Sequence, residues 1–176
     1  MNVSSHGYKD LAFYKQAEII YDFTIEFVKK YINPYSRTKD QMEQAGRSGK
    51  QNIPEGYMQQ SLETRIKLLG VSRGSFEELL NDYTDFLRQN GLKQWALDSK
   101  EAKKVRDFAY NAYNDYKNYK DYIVSSETAA NAMICLINQT NALLDKKIRW
   151  LREKFIQEGG FRENLFKARI IYKNSK

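Results

Sequence analysis

The chain contains one cysteine, one histidine and two prolines among its 176 residues. A lone cysteine cannot form an internal disulfide, and Cys135 lies in an apolar run with no histidine nearby, so we expect a buried inert thiol rather than a nucleophile. His6 lies in a polar N-terminal stretch, which gives no support to a zinc site or a histidine-based triad. We therefore predict no metal, no cofactor and no enzyme activity.

Phosphate-binding loops and paired metal-ligand motifs are missing too, although catalysis needs titratable groups that converge on one place. Glu55 beside Asn52 is the only candidate for a buried catalytic acid. A structural role is the interpretation we favour for both residues.

Long apolar runs and the alternation typical of strands are also missing. No run approaches the roughly 20 apolar residues that cross a bilayer, and nothing resembles a signal peptide, so we expect a cytoplasmic protein without a membrane partner. Aromatic residues are plentiful, at 14% of the chain. This composition and length predict a single all-α domain with a core of its own.

Apolar residues recur at steps of three and four over residues 11–32, 37–57, 61–90 and 126–158, as helices require. We predict an antiparallel up-down four-helix bundle over residues 1–158, with an inserted helical segment at about 93–122 and a C-terminal tail at 159–176. The first helix carries two apolar stripes, one through Tyr14 and Ala17 and one through Phe23 and Phe27. Two stripes indicate either deeper burial or a contact between subunits.

Glycines interrupt the second and third predicted helices, although each costs roughly 1 kcal/mol relative to alanine there. Gly46 and Gly49 share one face of the second helix, and Gly70 and Gly74 are one turn apart on the third. We predict that these two surfaces press together in a hairpin. A ligand groove is the alternative.

Pro54 removes a backbone hydrogen bond and is expected to kink or close the last turn of the second helix. Asn52 and Glu55 flank it, and we expect their side chains to bind the freed backbone groups. Arg73 is the one charged residue in the apolar seam of the third helix, so it needs a carboxylate. We predict a pair with Glu55; a pair with Glu77 or an arginine that extends to solvent are the alternatives.

Five tyrosines follow one another at a strict spacing of three. In an α-helix this step drifts backwards by about 60°, so five tyrosines sweep around about 240° and cannot share a face. They either stack on nucleic-acid bases or form a packing surface, and we favour packing. The five are Tyr110, Tyr113, Tyr116, Tyr119 and Tyr122.

The second and third helices also carry a pattern of eleven residues: Gln41, Ala45, Ser48, Asn52, Ile53, Glu55, Gly56, Gly74, Ser75, Glu78 and Leu79. This pattern resembles the bacterial four-helix-bundle family first described from intervening sequences in large-subunit ribosomal RNA genes. The accessory protein of diversity-generating retroelements is a relative. The stretches RSGKQNIPEG and EGGF are similar to a branch with an added C-terminal suffix.

The resemblance implies a homo-oligomer, a pentameric ring in the family, and a protein partner such as the reverse transcriptase of the retroelement relatives. This chain has Gln44 and Gly49 where the family usually has a basic and an aliphatic residue.

The net charge of +7 resides entirely in the second half of the chain. Residues 1–88 hold 12 basic and 12 acidic side chains, whereas residues 89–176 hold 17 and 10. This asymmetry favours a polyanion partner, RNA or DNA, bound without strong sequence specificity. A solvated basic face and a protein scaffold are the alternatives. The predicted phosphate contacts are Lys146, Lys147, Arg149, Arg152 and Lys154.

Overall fold

The structure is a computed structural model that describes residues 7–110 and 115–176. Six α-helices and one 3-10 helix account for most of these residues, and no strand occurs among them, so the protein is all-α as predicted. The elements are α1 (Ala12–Tyr31), α2 (Arg37–Met58), α3 (Leu62–Gln89), α4 (Lys100–Tyr110), the 3-10 helix (Tyr116–Val124), α5 (Ser126–Glu158) and α6 (Phe161–Asn174).

Local signals in the sequence set the helix ends. The hydroxyls of Ser36, Ser61 and Ser125 each accept a hydrogen bond from a backbone N–H in the first turn of α2, α3 and α5. Gly91 after α3 and Gly159 after α5 have φ of 64° and 79°, a left-handed conformation that favours glycine. These caps place the ends of the helices within two residues of the predicted positions.

The core lies among α1, α2, α3 and α5. In this group α1 contacts α2, α2 contacts α3, α3 contacts α5, and α5 contacts α1. The largest buried side chains of the core are aromatic, and burial of each stabilises the fold by about 1.5–3 kcal/mol. Phe27 makes edge contacts with Tyr83 and Phe86 at centroid distances of 4.9 and 5.0 Å. The Tyr83 hydroxyl lies 3.0 Å from the Thr24 hydroxyl, so these two buried hydroxyls are paired with each other.

Both apolar stripes of α1 are covered within the chain. Tyr14, Ala17, Phe23 and Phe27 are all buried. The segment that runs through α4 and the 3-10 helix packs over α1 and supplies the extra cover. Deeper burial, rather than a subunit contact, therefore explains the second stripe.

Hydrogen bonds anchor the inserted segment to α1 and α5. Gln16 is fully buried; its amide donates to the carbonyl of Ala109 at 3.1 Å and accepts from the hydroxyl of Thr140 at 2.9 Å. The Tyr31 hydroxyl donates to the carbonyl of Ile123 at 2.6 Å, just before α5 begins. Buried and partly buried polar bonds of this kind fix where the segment lies on the core.

Three of the five period-three tyrosines, Tyr116, Tyr119 and Tyr122, belong to a 3-10 helix, whereas Tyr110 is the last residue of the α-helix α4. A 3-10 helix has three residues per turn, so Tyr116, Tyr119 and Tyr122 share one face, and the expectation that they diverge is wrong. Their rings pack against Phe23, Phe108 and Trp95 at centroid distances of 6.2–6.4 Å, which agrees with the packing interpretation. Tyr113 and the side chain of Tyr110 lie outside the described residues.

The glycine prediction holds for α2 and is wrong for α3. A Cβ atom on Gly49 would lie 2.6 Å from the ring of Phe76, and one on Gly46 would lie 3.5 Å from the ring of Tyr21. Gly56 likewise lies close to α3. In contrast, apart from the adjacent residues and backbone of α3 itself, no atom of the described chain comes within 4 Å of a Cβ atom placed on Gly70 or Gly74, because both face outward from α3.

Arg73 pairs with α5 and with its own helix rather than with Glu55. Its guanidinium donates to Glu77 at 2.6 Å and to Asp145 at 3.1 Å. Glu55 is exposed, so it is not a buried acid, and Arg73 makes no ion pair with it among the described residues. The predicted Glu55–Arg73 pair is therefore wrong, and the alternative partner Glu77 is confirmed.

Pro54 lies inside α2, which ends four residues later at Met58. Asn52 donates to the carbonyl of Ser48 at 2.9 Å, one turn back, rather than to a group freed by the proline. The predicted role of Asn52 at the proline is therefore corrected to a bond within the preceding turn.

Candidate nucleic-acid interface

The five predicted basic residues are spread around the solvent side of α5. Lys146, Arg149 and Arg152 are exposed, and Lys147 and Lys154 are partly buried. At about 100° per residue, Arg152 points about 140° away from Lys147, so the five do not form one face. The structure brings two of them together, Lys147 and Lys154.

Lys147 and Lys154 meet at Trp150, whose side chain is 48% exposed. The Nζ atom of Lys147 lies 3.9 Å from the ring centroid, and the Nζ atom of Lys154 lies 5.4 Å from it. Both distances allow a cation–π attraction. An exposed indole with two ammonium groups beside it combines an aromatic surface with positive charge.

Arg65 on α3 adds a third positive charge. Its guanidinium lies over the ring of Tyr57 at 5.1 Å and donates to the carbonyls of Gly56 at 3.2 Å and Gln59 at 3.0 Å. These bonds cap the carboxyl end of α2, where positive charge is favourable. They also hold the guanidinium in one place, near enough to Lys147 on α5 for the two charges to repel each other.

The positive charges of this site affect one another. The pKa of Lys147 is lowered by burial and then by its neighbours Arg65 and Lys154. Within the described chain neither Arg65 nor Lys147 has an ion-pair partner, whereas Lys154 pairs with Glu158 at 3.6 Å. A bound anion would therefore attract Arg65, Lys147 and Lys154 and offset the repulsion among these three positive charges. We call Arg65, Lys147, Trp150 and Lys154 the Trp150 cluster.

Sequence reasoning missed half of this cluster. Trp150 stands three residues after Lys147 and four before Lys154, a spacing that puts all three on one helix face. That signal was present in the sequence. Arg65 comes from another helix, and only the packing of α3 against α5 brings it close.

A second surface, the groove between α2 and α3, has the opposite charge. It encloses about 920 Å³ and is lined by Asp40, Glu78 and Asp82, with Arg37 at one end. Burial and the neighbouring Asp85 and Glu78 raise the pKa of Asp82 to about 6. Several residues of the eleven-residue pattern also line it: Gln41, Ala45, Ser48, Ser75 and Glu78.

The remaining reactive groups do not assemble into a site. Among residues 7–110 and 115–176, no three His, Cys, Asp or Glu side chains are placed to hold a metal ion. Burial raises the pKa of the Cys135 thiol, and Arg106 offsets this only in part, so the thiol is protonated at neutral pH. No helix in the described part combines the length and apolar character needed to cross a membrane.

Comparison with known proteins returns no match, whether against protein-family models, curated proteins or solved structures.

Proposed function

We propose that this protein binds nucleic acid, RNA or DNA, through the Trp150 cluster and is not an enzyme. The main observation in support is the exposed Trp150 ring beside the ammonium groups of Lys147 and Lys154. Phosphates neutralise such cations and release counterions, and a base stacks on the indole. Lys146, Arg149 and Arg152 supply outer phosphate contacts.

Binding through this site carries little sequence preference. The charged side chains of the cluster donate hydrogen bonds to phosphate or attract it electrostatically, and any of the bases can stack on the Trp150 ring. Sequence readout instead needs donors and acceptors matched to base edges. We therefore expect similar affinities for unrelated sequences of equal length.

We propose further that α1, α2, α3 and α5 form an antiparallel up-down four-helix bundle. The order of contacts supports this for α2 and α3, because Ser48 lies beside Ser75 at 2.8 Å, whereas Gly56 near the end of α2 lies beside Arg65 near the start of α3. Residues 1–158 then form the bundle, with the insertion at about 93–122. Residues 159–176, which include α6, then correspond to the C-terminal suffix that the family resemblance implies.

Fluorescence anisotropy with labelled oligonucleotides tests the binding proposal. Single-stranded and duplex RNA and DNA are titrated across a salt series with wild type, Trp150→Ala and Lys147→Ala. We expect each variant to lose about three- to tenfold in affinity, and Lys147→Ala to reduce the salt slope by about one. Greater loss for single strands in Trp150→Ala is the signature of stacking.

Lys50→Ala is the matched control, because the Lys50 Nζ atom also lies over an aromatic ring, that of Tyr21 at 4.7 Å, but away from the cluster. We expect it to bind as wild type does. Equal affinity of wild type, Trp150→Ala and Lys147→Ala would overturn the proposal.

A second candidate function is a scaffold whose role is self-assembly and binding of a protein partner. The observation that favours it is α6, in which every residue is exposed and several are apolar. Light scattering of the protein alone measures the copy number, for which the family resemblance suggests five. Assembly that persists at high salt, without affinity for nucleic acid, favours this second function.

A further inference from the structure

The last helix, α6, presents apolar side chains to solvent on opposite sides. Phe166 is 65% exposed and Ile171 is 70% exposed. At about 100° per residue, Phe161, Leu165 and Tyr172 form one row, and Phe166 and Ile170 lie on the opposite side. A helix that is apolar on more than one side is normally enclosed by other protein.

The joint between α5 and α6 holds the helix away from the body of its own chain. The Glu163 carboxylate accepts a hydrogen bond from the backbone N–H of Gly160 at 3.0 Å, and Gly159 has φ of 79°. A Cβ atom on Gly160 would contact the carboxylate of Glu63 on α3. Because this joint is packed and capped, the apolar rows of α6 remain uncovered within one chain.

The outer face of α3 is the surface that fits such a helix. Gly70 and Gly74 expose bare backbone there, and Val71 between them is 43% exposed. Glycine is unfavourable in a helix interior, and the described chain offers no contact that requires it at these two positions. Small residues on a helix surface allow another helix to approach closely.

Charge and length match as well. Residues 159–176 hold five basic side chains and one acidic side chain. Glu78 and Asp82, one and two turns beyond Gly74, turn away from this face and line the neighbouring groove between α2 and α3. Neither has an ion-pair partner among the described residues, so both are open to a basic side chain that reaches over the edge of the groove. The span from Gly70 to Asp82 is about 18 Å and α6 is about 21 Å long.

We propose that α6 of one copy docks along the outer face of α3 in a second copy. Phe166 lies over Gly70 and Gly74, and Lys173, seven residues later, reaches Glu78 and Asp82. The donor and acceptor surfaces differ, so each copy uses both. This inference does not rest on the proposed nucleic-acid binding, whose residues are Arg65 near the start of α3 and three side chains of α5.

Mixing two defective variants tests the contact. Phe166→Asp removes the donor and keeps the acceptor, whereas Gly74→Leu blocks the acceptor and keeps the donor. Both sites are exposed, and circular dichroism checks that each variant is folded. Sedimentation velocity over a concentration series should show assembly of wild type, at least tenfold weaker assembly of each variant alone, and a one-to-one complex when the two are mixed.

Charge exchange provides a second readout. Asp82→Lys should weaken assembly, and adding Lys173→Asp to the same chain should restore it. Lys167→Glu is the matched control, because Lys167 points about 120° away from Lys173 on α6. It should assemble as wild type does.

Three results would overturn the proposal. If the wild-type protein stays monomeric at all concentrations, α6 does not bind a second copy of this chain and its apolar surface must have a different partner. Assembly lost in Phe166→Asp but unchanged in Gly74→Leu and Asp82→Lys indicates that α6 pairs with another α6. Absence of a complex in the mixture of the two defective variants excludes a contact between unlike surfaces.

Discussion

A Cβ atom placed on Gly49 lies 2.6 Å from Cε1 of Phe76, whose ring is fully buried. The Ser72 hydroxyl, one turn before Phe76, donates to the carbonyl of Gly49 at 2.6 Å, so α2 and α3 are held together at this point. Gly49→Ala therefore forces a packed ring to move. We expect it to lower the free energy of unfolding by about 1–3 kcal/mol, measured by urea denaturation.

Gly70→Ala and Gly74→Ala provide the comparison, since both positions are helical and open to solvent. Each should raise the stability of the isolated chain by up to about 1 kcal/mol, because alanine favours the helix. If all three substitutions behaved alike, close packing would not be the reason for Gly49.

Arg73 is expected to couple energetically to Asp145 and not to Glu55. Arg73→Met removes two ion pairs that are partly exposed, and we expect a loss of about 1–2 kcal/mol. A double-mutant cycle of Arg73→Met with Asp145→Asn should give a coupling energy of about 0.5 kcal/mol or more. The same cycle with Glu55→Gln is the control and should give none.

Asp82 makes stability depend on pH. Its pKa is raised to about 6 by burial and by Asp85 and Glu78, while Arg37 and Asp40 line the same groove from α2. Because the folded pKa lies above the unfolded value, the folded state favours the protonated carboxyl, and stability falls as pH rises from about 4 through 6.

Asp82→Asn should therefore be more stable than wild type at pH 7, by about 1 kcal/mol after allowance for solvent screening. The difference should vanish below about pH 4. Urea denaturation at several pH values measures it, with Asp107→Asn on the exposed side of α4 as the control. A difference between Asp82→Asn and wild type that is constant with pH would contradict the assignment.

Gln16 should hold α4 on the core. Gln16→Leu leaves the Ala109 carbonyl without its buried donor, and we expect a loss of about 2–3 kcal/mol. Hydrogen exchange should accelerate in α4 before the rest of the molecule. Gln51→Leu, the same change at an exposed position of α2, should have little effect on either measurement.

The sequence predicts helix ends well because their causes are local. Ser36, Ser61 and Ser125 cap helices through bonds to residues two or three positions later, and Gly91 and Gly159 adopt the backbone conformation that ends a helix. Each of these signals lies within a few residues of its effect. The all-α class follows from the same signals and from the apolar periodicity.

The direction in which a helix face points, unlike the position of a helix end, is not determined by neighbouring residues in the sequence. Gly46 and Gly70 are both glycines inside amphipathic helices, yet Gly46 packs against Tyr21 and Gly70 faces solvent. The difference depends on how α2 and α3 are rotated relative to all their neighbours. Arg65 joins Lys147 for the same nonlocal reason. The period-three tyrosines did contain a local signal, since three residues per turn is the 3-10 period, but the α-helical assumption concealed it.

The two-residue connection at Gly159 and Gly160 has a geometric consequence for any assembly formed through α6. Every copy would present α6 at the same angle to α5, because that angle is set by the positive φ of Gly159 and by the packing of Gly160 against Glu63. The rotation that relates successive copies is then a property of this joint. A substitution that forces φ of Gly159 to negative values would convert a closed assembly into an open fibre, or change its stoichiometry, while leaving both contact surfaces intact.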